Sequence, residues 1–127
     1  MHLIKNGYMT LHHETPGEHD LRRLRTLYKA LGDESRLRIT SVLAEFGPMP
    51  VNELTSRVGL SQPLISWHLR IMRLAGVIET RRQGRIVICQ LRIAAFEELH
   101  EAEARLIAGT AGITLPKRGG GELPDVG

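Results

Sequence analysis

Apolar residues recur at helical spacing in five stretches of this chain and alternate with polar ones in two shorter stretches. In the first stretch, 20–31, leucine or tyrosine returns every third or fourth residue, which is the period of a helix with one buried face. Gly32 is expected to end this helix, and Asp33 to cap the next one. Further helices are expected at 34–46, at 51–58, from the cap Ser61 to Ala75, and at 94–108.

The two alternating stretches predict a β-hairpin. They cover 77–82 and 85–91 and meet at Gln83-Gly84, where glycine supplies the positive φ that a tight turn needs. The order of elements is therefore four helices, a hairpin and a last helix. It predicts a mainly α (α+β) fold, a winged helix-turn-helix of about five helices in which the two-stranded hairpin is the wing.

The same periodicity predicts core side chains in individual elements. In the helix at 34–46 they are Leu37, Ile39, Val42, Leu43 and Phe46. In the last helix they are Phe96, Leu99, Leu106 and Ile107. Cys89 alternates with Val87 and Leu91 in the second strand, so its thiol is expected in the core.

Composition divides the chain into three segments. Residues 1–19 contain Pro16 and Gly17 without a sustained period, which indicates a flexible N-terminal arm. Residues 20–108 carry the predicted elements and are expected to form the winged helix-turn-helix domain. Residues 109–127 are rich in glycine and proline, which predicts a disordered tail.

Composition also restricts the class of protein. A chain of 127 residues with 42% hydrophobic content fits one compact domain. No apolar run could span a bilayer, and the single cysteine excludes an internal disulfide, so we expect a cytoplasmic protein without a membrane partner. Since no nucleophile–base pair, phosphate-binding loop or group of carboxylates lies at a spacing that catalysis could use, we expect neither an enzyme nor a cofactor.

The distribution of charge is more informative than the net charge of +3. Seven arginines and one acid, Glu79, lie between residues 57 and 92; the arginines are Arg57, Arg70, Arg73, Arg81, Arg82, Arg85 and Arg92. A solvated surface explains any one of these arginines. Together they indicate a field that attracts phosphates, and hence double-stranded DNA as a partner.

The fourth predicted helix carries groups that can read a duplex. Its apolar arc is expected to comprise Leu64, Ile65, Leu69, Ile71 and Met72. Gln62 and Ser66, near its N-terminus, are the expected base contacts, and Arg70 and Arg73 the expected phosphate contacts. The neighbouring Ser61 and Pro63 complete the surface expected to touch DNA.

Two residues of this helix have two interpretations each. Trp67 lies far from the apolar arc and can pack on the sugar–phosphate backbone or cover a neighbouring element. His68 falls inside the arc, so it can contact DNA or position the helix from a partly buried site. In the hairpin, Arg81, Arg82 and Arg85 surround the glycine turn, and a hairpin bearing arginine can enter a minor groove; an ordinary surface hairpin is the alternative.

These segments resemble the ArsR/SmtB repressors. The resemblance covers roughly 24–91 and is carried by the runs ALGDESRLRI (30–39), VNEL (51–54), GLSQPLISWHL (59–69), LAGVI (74–78) and RQGR (82–85). It implies a winged-helix homodimer, joined through its first and last helices, that represses transcription and leaves DNA when an effector binds.

The resemblance does not extend to the metal ligands of that family. Alignment on Glu53-Leu54 places Pro50 and Asn52 at the positions of the family's thiolate ligands, and neither binds soft metals. The positions of its zinc-type ligands fall on Ile93, Ala95, Leu106 and Gly109. We therefore expect an effector other than a thiolate-bound metal, and we assign no metal ligands.

Two alternatives to a repressor of this kind stay open. One is a nickel- or zinc-type sensor that uses His100, the acidic residues near it, and the N-terminal histidines His2, His12, His13 and His19. The other is a winged helix used purely for protein interaction, against which the basic surface argues. A redox role for Cys89 would require a partner thiol in a second subunit.

Overall fold

The computed structural model describes residues 15–113 and 115, and its order of elements is the one that the sequence predicts. The helices are α1 (Pro16–Leu31), α2 (Glu34–Phe46), α3 (Val51–Val58), α4 (Gln62–Leu74) and α5 (Ile93–Ile107). The strands are β1 (Met49–Pro50), β2 (Ile78–Gln83) and β3 (Ile86–Leu91). The predicted bounds of α2 and α3 are confirmed, and the winged helix-turn-helix is present.

Helix α1 begins four residues earlier than its apolar period indicates. Thr15 caps it: its hydroxyl accepts from the backbone N–H of Glu18, whose carboxylate accepts in turn from the N–H of Thr15. Pro16 occupies the first turn, where its missing N–H costs no hydrogen bond. Residues 16–19 are therefore helical, and residues 1–14 lie outside the described part of the chain.

A third strand, β1, was not expected from the sequence. The three antiparallel strands have the order β1-β3-β2, with Met49 opposite Cys89 and Pro50 opposite Ile88. Two residues are too few to show alternation, and Pro50 cannot donate to a ladder, which suits it to an edge strand. The strand ties the wing to the chain directly before α3.

The core lies between the five helices and the inner face of the sheet. Ile39, Leu54, Ile65, Met72 and Cys89 are buried within it. The predicted burial of Leu37, Phe46, Leu106 and Ile107 is wrong, because all four are exposed. Helix α5 buries Leu99, as predicted, together with Ala95 and Ala102, two small residues that allow the helix to lie close to α1. The guanidinium of Arg57 covers the Phe46 ring at 4.0 Å.

The start of the predicted tail folds back onto α1. Ala111 is buried, and its carbonyl oxygen would lie only 2.0 Å from a Cβ built on Gly17. Only glycine therefore allows this approach of the two backbones. The tail from residue 116 onward, and with it most of the predicted disorder, lies outside the described residues.

Within the described residues, no helix combines the length and the apolar character required to cross a membrane.

Candidate nucleic-acid interface

Helix α4 is fixed at its N-terminus by a local cap and at its C-terminus by a hydrogen bond from α1. Ser61 caps its N-terminus by accepting from the N–H of Leu64 at 3.4 Å. At its C-terminus the Arg23 guanidinium donates to the carbonyl oxygen of Ala75 at 2.8 Å, which satisfies one of the free carbonyls of the helix end. Gly76 then turns the chain at φ 79°. The orientation of α4 is thus set by α1 as well as by core packing.

The exposed surface of α4 divides into two sides. At 100° per residue, one side carries polar groups, and we call it the polar side of α4: Gln62, Ser66, Arg70 and Arg73. The other is the apolar side of α4: Leu64, Trp67, Ile71 and Leu74. The predicted apolar arc is therefore wrong in part, because Leu64 is exposed and Ile71 only half-buried. The buried face consists of Ile65, His68, Leu69, Met72 and Ala75.

The polar side of α4 faces the wing across a groove of about 540 Å³. Its polar lining comprises Asn52, Gln62, Ser66, Arg70, Arg73, Thr80 and Arg85. No acidic residue lines this groove within the described part of the chain. The structure thus brings together the predicted base contacts, the predicted phosphate contacts and one arginine of the wing.

The wing presents its arginines in two directions. Gly84, at φ 61°, makes the turn, and Arg85 follows it into the groove. Because side chains alternate along a strand, Arg82 shares the face of the groove-lining Thr80, and Arg81 lies on the opposite face. All three arginines are exposed.

The charges of this surface are available to a ligand. Arg57 and Arg92 pair with Glu53 and Glu79. Among the described residues no carboxylate pairs with the other five arginines, which are Arg70, Arg73, Arg81, Arg82 and Arg85. Cations without partners at the surface are the groups that phosphates neutralise.

The remaining predicted residues of the interface have distinct environments. The Ser61 hydroxyl accepts from Leu64 and keeps its own proton to donate. Gln62 accepts from the Thr55 hydroxyl at 3.4 Å, which leaves its amide N–H groups free. Pro63 is exposed, and Trp67, 57% exposed, lies on the apolar side of α4, away from the groove.

His68 does not belong to this exposed surface. It is only 6% exposed, and its Nδ1 lies 3.0 Å from an N–H nitrogen of Arg36 on α2. A guanidinium can only donate, so Nδ1 is the acceptor. The predicted contact of His68 with DNA is therefore corrected in favour of its alternative, a buried histidine that positions α4.

Sequence reasoning missed two contributors to this region. Asn52 lines the groove from the first turn of α3. The only sign in the sequence that it belongs there is its position directly before the pair Glu53-Leu54. Arg36 holds His68, but nothing in helical periodicity connects residues that are 32 positions apart.

Within residues 15–113 and 115, the candidate metal ligands are not gathered in one place. His100 is exposed on α5, with Nδ1 3.3 Å from a carboxylate oxygen of Glu103. Hydrogen bonds from the Tyr28 hydroxyl and from His100 hold the pKa of Glu103 below its ordinary value. No group of three or more His, Cys, Asp or Glu side chains suited to a metal occurs in the described part of the chain. His2, His12 and His13 lie outside it.

Cys89 is fully buried, as its place in the strand predicts, and burial raises the pKa of its thiol to about 11. A thiol in this state is a poor metal ligand and a poor nucleophile.

The comparisons with known proteins agree on one family. A family model described as "Bacterial regulatory protein, arsR family" matches residues 33–80. An arsenic resistance transcriptional regulator of Pseudomonas putida is 42% identical over 79 residues, which are 60% of this chain and 61% of the relative. The transcriptional activator HlyU of Vibrio cholerae is 35% identical over 80 residues, 63% of this chain and 73% of the relative.

The chain spans 52% to 65% of the length of four of its curated relatives. The solved structure of HlyU superimposes with a TM-score of 0.59 at 32% identity, over 72% of this chain and 98% of that one. A homodimeric winged helix-turn-helix domain of Mycobacterium bovis has a TM-score of 0.59 at 23% identity, over 80% and 91% of the two chains; this likeness shows the fold alone. The chain therefore belongs to the ArsR family of bacterial transcriptional regulators.

Proposed function

We propose that this protein is a homodimeric, sequence-specific repressor that binds duplex DNA through the groove between α4 and the wing. One observation carries the proposal. The polar side of α4 and Arg85 of the wing face one open groove. The five arginines of α4 and the wing, which are Arg70, Arg73, Arg81, Arg82 and Arg85, have no carboxylate partner among the described residues. A helix of this kind fits the major groove, and unpaired arginines replace the counterions of the phosphates.

Each side chain has a role that its chemistry supports. Gln62 and Ser66 are near the N-terminus of α4, where amide and hydroxyl groups can reach base edges. Arg70 and Arg73 are one to two turns further along and suit phosphates. Arg82 and Arg85 lie on the groove face of the wing, which suits an adjacent minor groove.

The homodimer is supported by an exposed apolar surface on the two helices that the family resemblance assigns to the interface. Leu21 and Tyr28 on α1, and Leu106 and Ile107 on α5, are exposed. The M. bovis neighbour is a homodimer. Two copies of α4 related by a two-fold axis would read the two halves of a palindromic site.

The effector is proposed to be something other than a thiolate-bound metal. Relatives named for arsenic resistance stand beside an activator and a biofilm growth-associated repressor, so relatedness alone does not choose the effector. The only cysteine of this chain is buried, with the pKa of its thiol raised. Proline and asparagine occupy the positions that the resemblance gives to the family's thiolate ligands.

The test measures affinity for duplex DNA from upstream of the protein's own gene across a salt series. Binding that depends on phosphates falls steeply with salt, with log K linear in log salt concentration. Arg73→Ala should weaken binding to all sequences alike and reduce the salt slope by about two units, one for each subunit of the dimer. Gln62→Ala should reduce the ratio of the affinity for specific DNA to that for nonspecific DNA, and the slope of log K against log salt concentration should stay unchanged.

Arg38→Gln is the matched control, because it removes one exposed positive charge on α2, outside the groove. It should change affinity less than about twofold, as expected for a surface charge far from the phosphates. Failure to bind any duplex at low salt would refute the proposal, and so would equal losses in Arg73→Ala and Arg38→Gln.

A further inference from the structure

A second groove lies on the opposite side of α4 from the proposed DNA surface. It has a volume of about 450 Å³, within the range of small-molecule sites. Helices α1, α2 and α4 form it, and its lining includes three basic and three apolar residues: Arg25, Lys29, Arg36, Ile71, Leu74 and Ala75. The proposed interaction with DNA uses none of these six.

The charge of this groove is positive and unbalanced. Arg25, Lys29 and Arg36 line it, and no acidic residue does so within the described part of the chain. Arg25 and Lys29 are exposed and form no ion pair with a described residue. The Asp33 carboxylate caps α2 by accepting from the Arg36 backbone N–H at 3.1 Å, and it also interacts electrostatically with Arg36, but it does not line the groove.

The Arg36 guanidinium is held in place and still has donors to offer. It donates to the carbonyl oxygens of Ala30 at 2.5 Å and Lys29 at 3.3 Å, and to Nδ1 of His68 at 3.0 Å. All three acceptors are uncharged. A guanidinium has five N–H groups, of which three make these bonds, so two are left for an anion.

The wall that α4 gives to the groove is apolar and faces solvent. Leu74 is 73% exposed, and Ile71 and Ala75 lie beside it. Trp67 is one turn from Ile71 on the same side of the helix, which extends the apolar surface beyond the groove. Ala75 is already buried, so an apolar body laid here would remove Leu74 and the exposed part of Ile71 from water.

We propose that this groove binds a small amphipathic anion, a carboxylate with an aliphatic or aromatic body. Arg25, Lys29 and Arg36 hold the anionic group, and Ile71 and Leu74 contact the body. Occupancy lowers the affinity for DNA. The binding of the anion stands on the groove alone, and its effect on DNA rests on the proposed function.

The coupling follows from the double attachment of Arg36. The same guanidinium that faces the groove positions His68, which lies only two residues after Ser66 on α4. An anion that draws the guanidinium toward itself changes the bond that fixes α4 against α2. A ligand shifts an equilibrium only if its affinities for the two states differ. The coupling is reciprocal, so bound DNA must lower the affinity for the anion by the same factor by which the anion lowers the affinity for DNA.

The probe is decanoate below its micellar concentration, added to the full chain without DNA. Trp67, the only tryptophan of the sequence, reports binding through its fluorescence because it adjoins Ile71 and Leu74. Decanoate should bind with saturation. Decanamide, which lacks the charge, should bind at least about tenfold more weakly, since charge-assisted hydrogen bonds are lost, and inorganic phosphate should leave the emission unchanged.

Variants localise the site. Arg25→Gln and Lys29→Gln should each weaken decanoate about threefold to tenfold, and Leu74→Asn should weaken it by a similar factor. Arg38→Gln again removes one positive charge outside the groove and should change the affinity less than about twofold. Equal binding of decanoate and decanamide, or unchanged affinity in Arg25→Gln and Lys29→Gln, would overturn the site.

Two further outcomes separate this inference from the proposed function. A protein that binds duplex DNA and ignores decanoate refutes the groove and leaves the function intact, whereas the reverse result refutes the function alone. Decanoate binding that leaves DNA affinity unchanged overturns the coupling. If Leu74→Asn dissociates a dimer in sedimentation, the groove is a contact between copies of this chain and the anion site is wrong.

Discussion

At the scale of single residues, Arg36 and His68 join two helices that must keep a fixed orientation. The His68 ring is buried against the core, and its Nδ1 accepts from Arg36 at 3.0 Å. The same ring lies 3.9 Å from the Asp33 carboxylate, and the backbone N–H of Arg36 is the main cause of the lowered pKa of Asp33. The N-terminus of α2 and the middle of α4 therefore share one hydrogen-bonded cluster.

Truncation of His68 should destabilise the fold. His68→Ala leaves a cavity and deprives Arg36 of an acceptor, which together cost about 2–3 kcal/mol of the free energy of unfolding. Urea denaturation followed by circular dichroism measures the loss. Ser66→Ala, on the exposed side of the same helix, should stay within about 0.5 kcal/mol of the parent. Equal stability of the two variants would contradict the structural role of His68.

What the sequence can reveal about a residue depends on where its partner lies. Helical spacing correctly raised the possibility that His68 is buried, but its partner Arg36 is remote in the chain and so could not be named. Phe46 was expected in the core because apolar spacing cannot show that Arg57 covers its ring from α3. By contrast, the exposed polar side of α4 followed from local periodicity.

At the scale of elements, ionic contacts pair α1 with α5. Arg105 donates to both carboxylate oxygens of Asp20, at 2.7 and 3.0 Å, and Arg23 donates to Glu98 at 3.0 Å. The hydrogen bond from Arg105 is the main cause that lowers the pKa of Asp20 below its ordinary 3.8. These pairs complement the apolar contact of small side chains between the two helices.

The Asp20–Arg105 pair makes stability depend on pH. Folding lowers the pKa of Asp20. The contribution of the pair to the free energy of unfolding is therefore fully present above the ordinary pKa of 3.8, and it is lost as the pH falls through the lower pKa that Asp20 has in the folded protein. Asp20→Asn should lower stability at neutral pH and flatten the decline below about pH 4. Denaturant unfolding at a series of pH values measures both effects.

Glu45→Gln on the exposed part of α2 is the control for this experiment, and its pH profile should match that of the parent. If Asp20→Asn retained the full decline of the parent, other carboxylates would be its cause and the assignment to Asp20 would fail.

The elements themselves were largely predictable, with two exceptions that have physical causes. The cap at Thr15 adds a turn of α1 that lacks an apolar period, since capping satisfies backbone N–H groups without burying side chains. Strand β1 has only two residues, and its pairing with β3 depends on a partner some forty positions away. Neither feature leaves a periodic signal.

At the scale of the whole molecule, α1 and α5 present the apolar surface that the proposed dimer requires. Ile107 is 85% exposed, and Leu106 and Tyr28 are exposed beside the α1–α5 contact. A monomer would leave this surface in water. The chain also has few aromatic residues, 4% of its length, with which to build a core of its own. Pairing with a second copy would bury it.

Ile107→Glu should therefore shift the protein toward monomer. A charge on each side of a two-fold axis costs desolvation and repulsion, so the dimer should dissociate about a hundredfold more readily. Analytical ultracentrifugation measures the dissociation constant of the dimer. Leu37→Glu places the same charge on another exposed leucine and should leave it unchanged. A parent protein that is monomeric at all concentrations would rule out the dimer.

The two-residue strand β1 determines how the proposed DNA-binding parts move relative to each other. Its pairing with Cys89 and Ile88 fastens the wing to the segment that enters α3, and α3 leads directly into α4. Because the wing and α4 are joined in this way, the distance between the proposed DNA contacts of α4 and those of the wing can change little. A base pair inserted between those places in the operator would have to be accommodated by bending or twisting of the DNA, and the choice of site would then depend on how easily each sequence deforms.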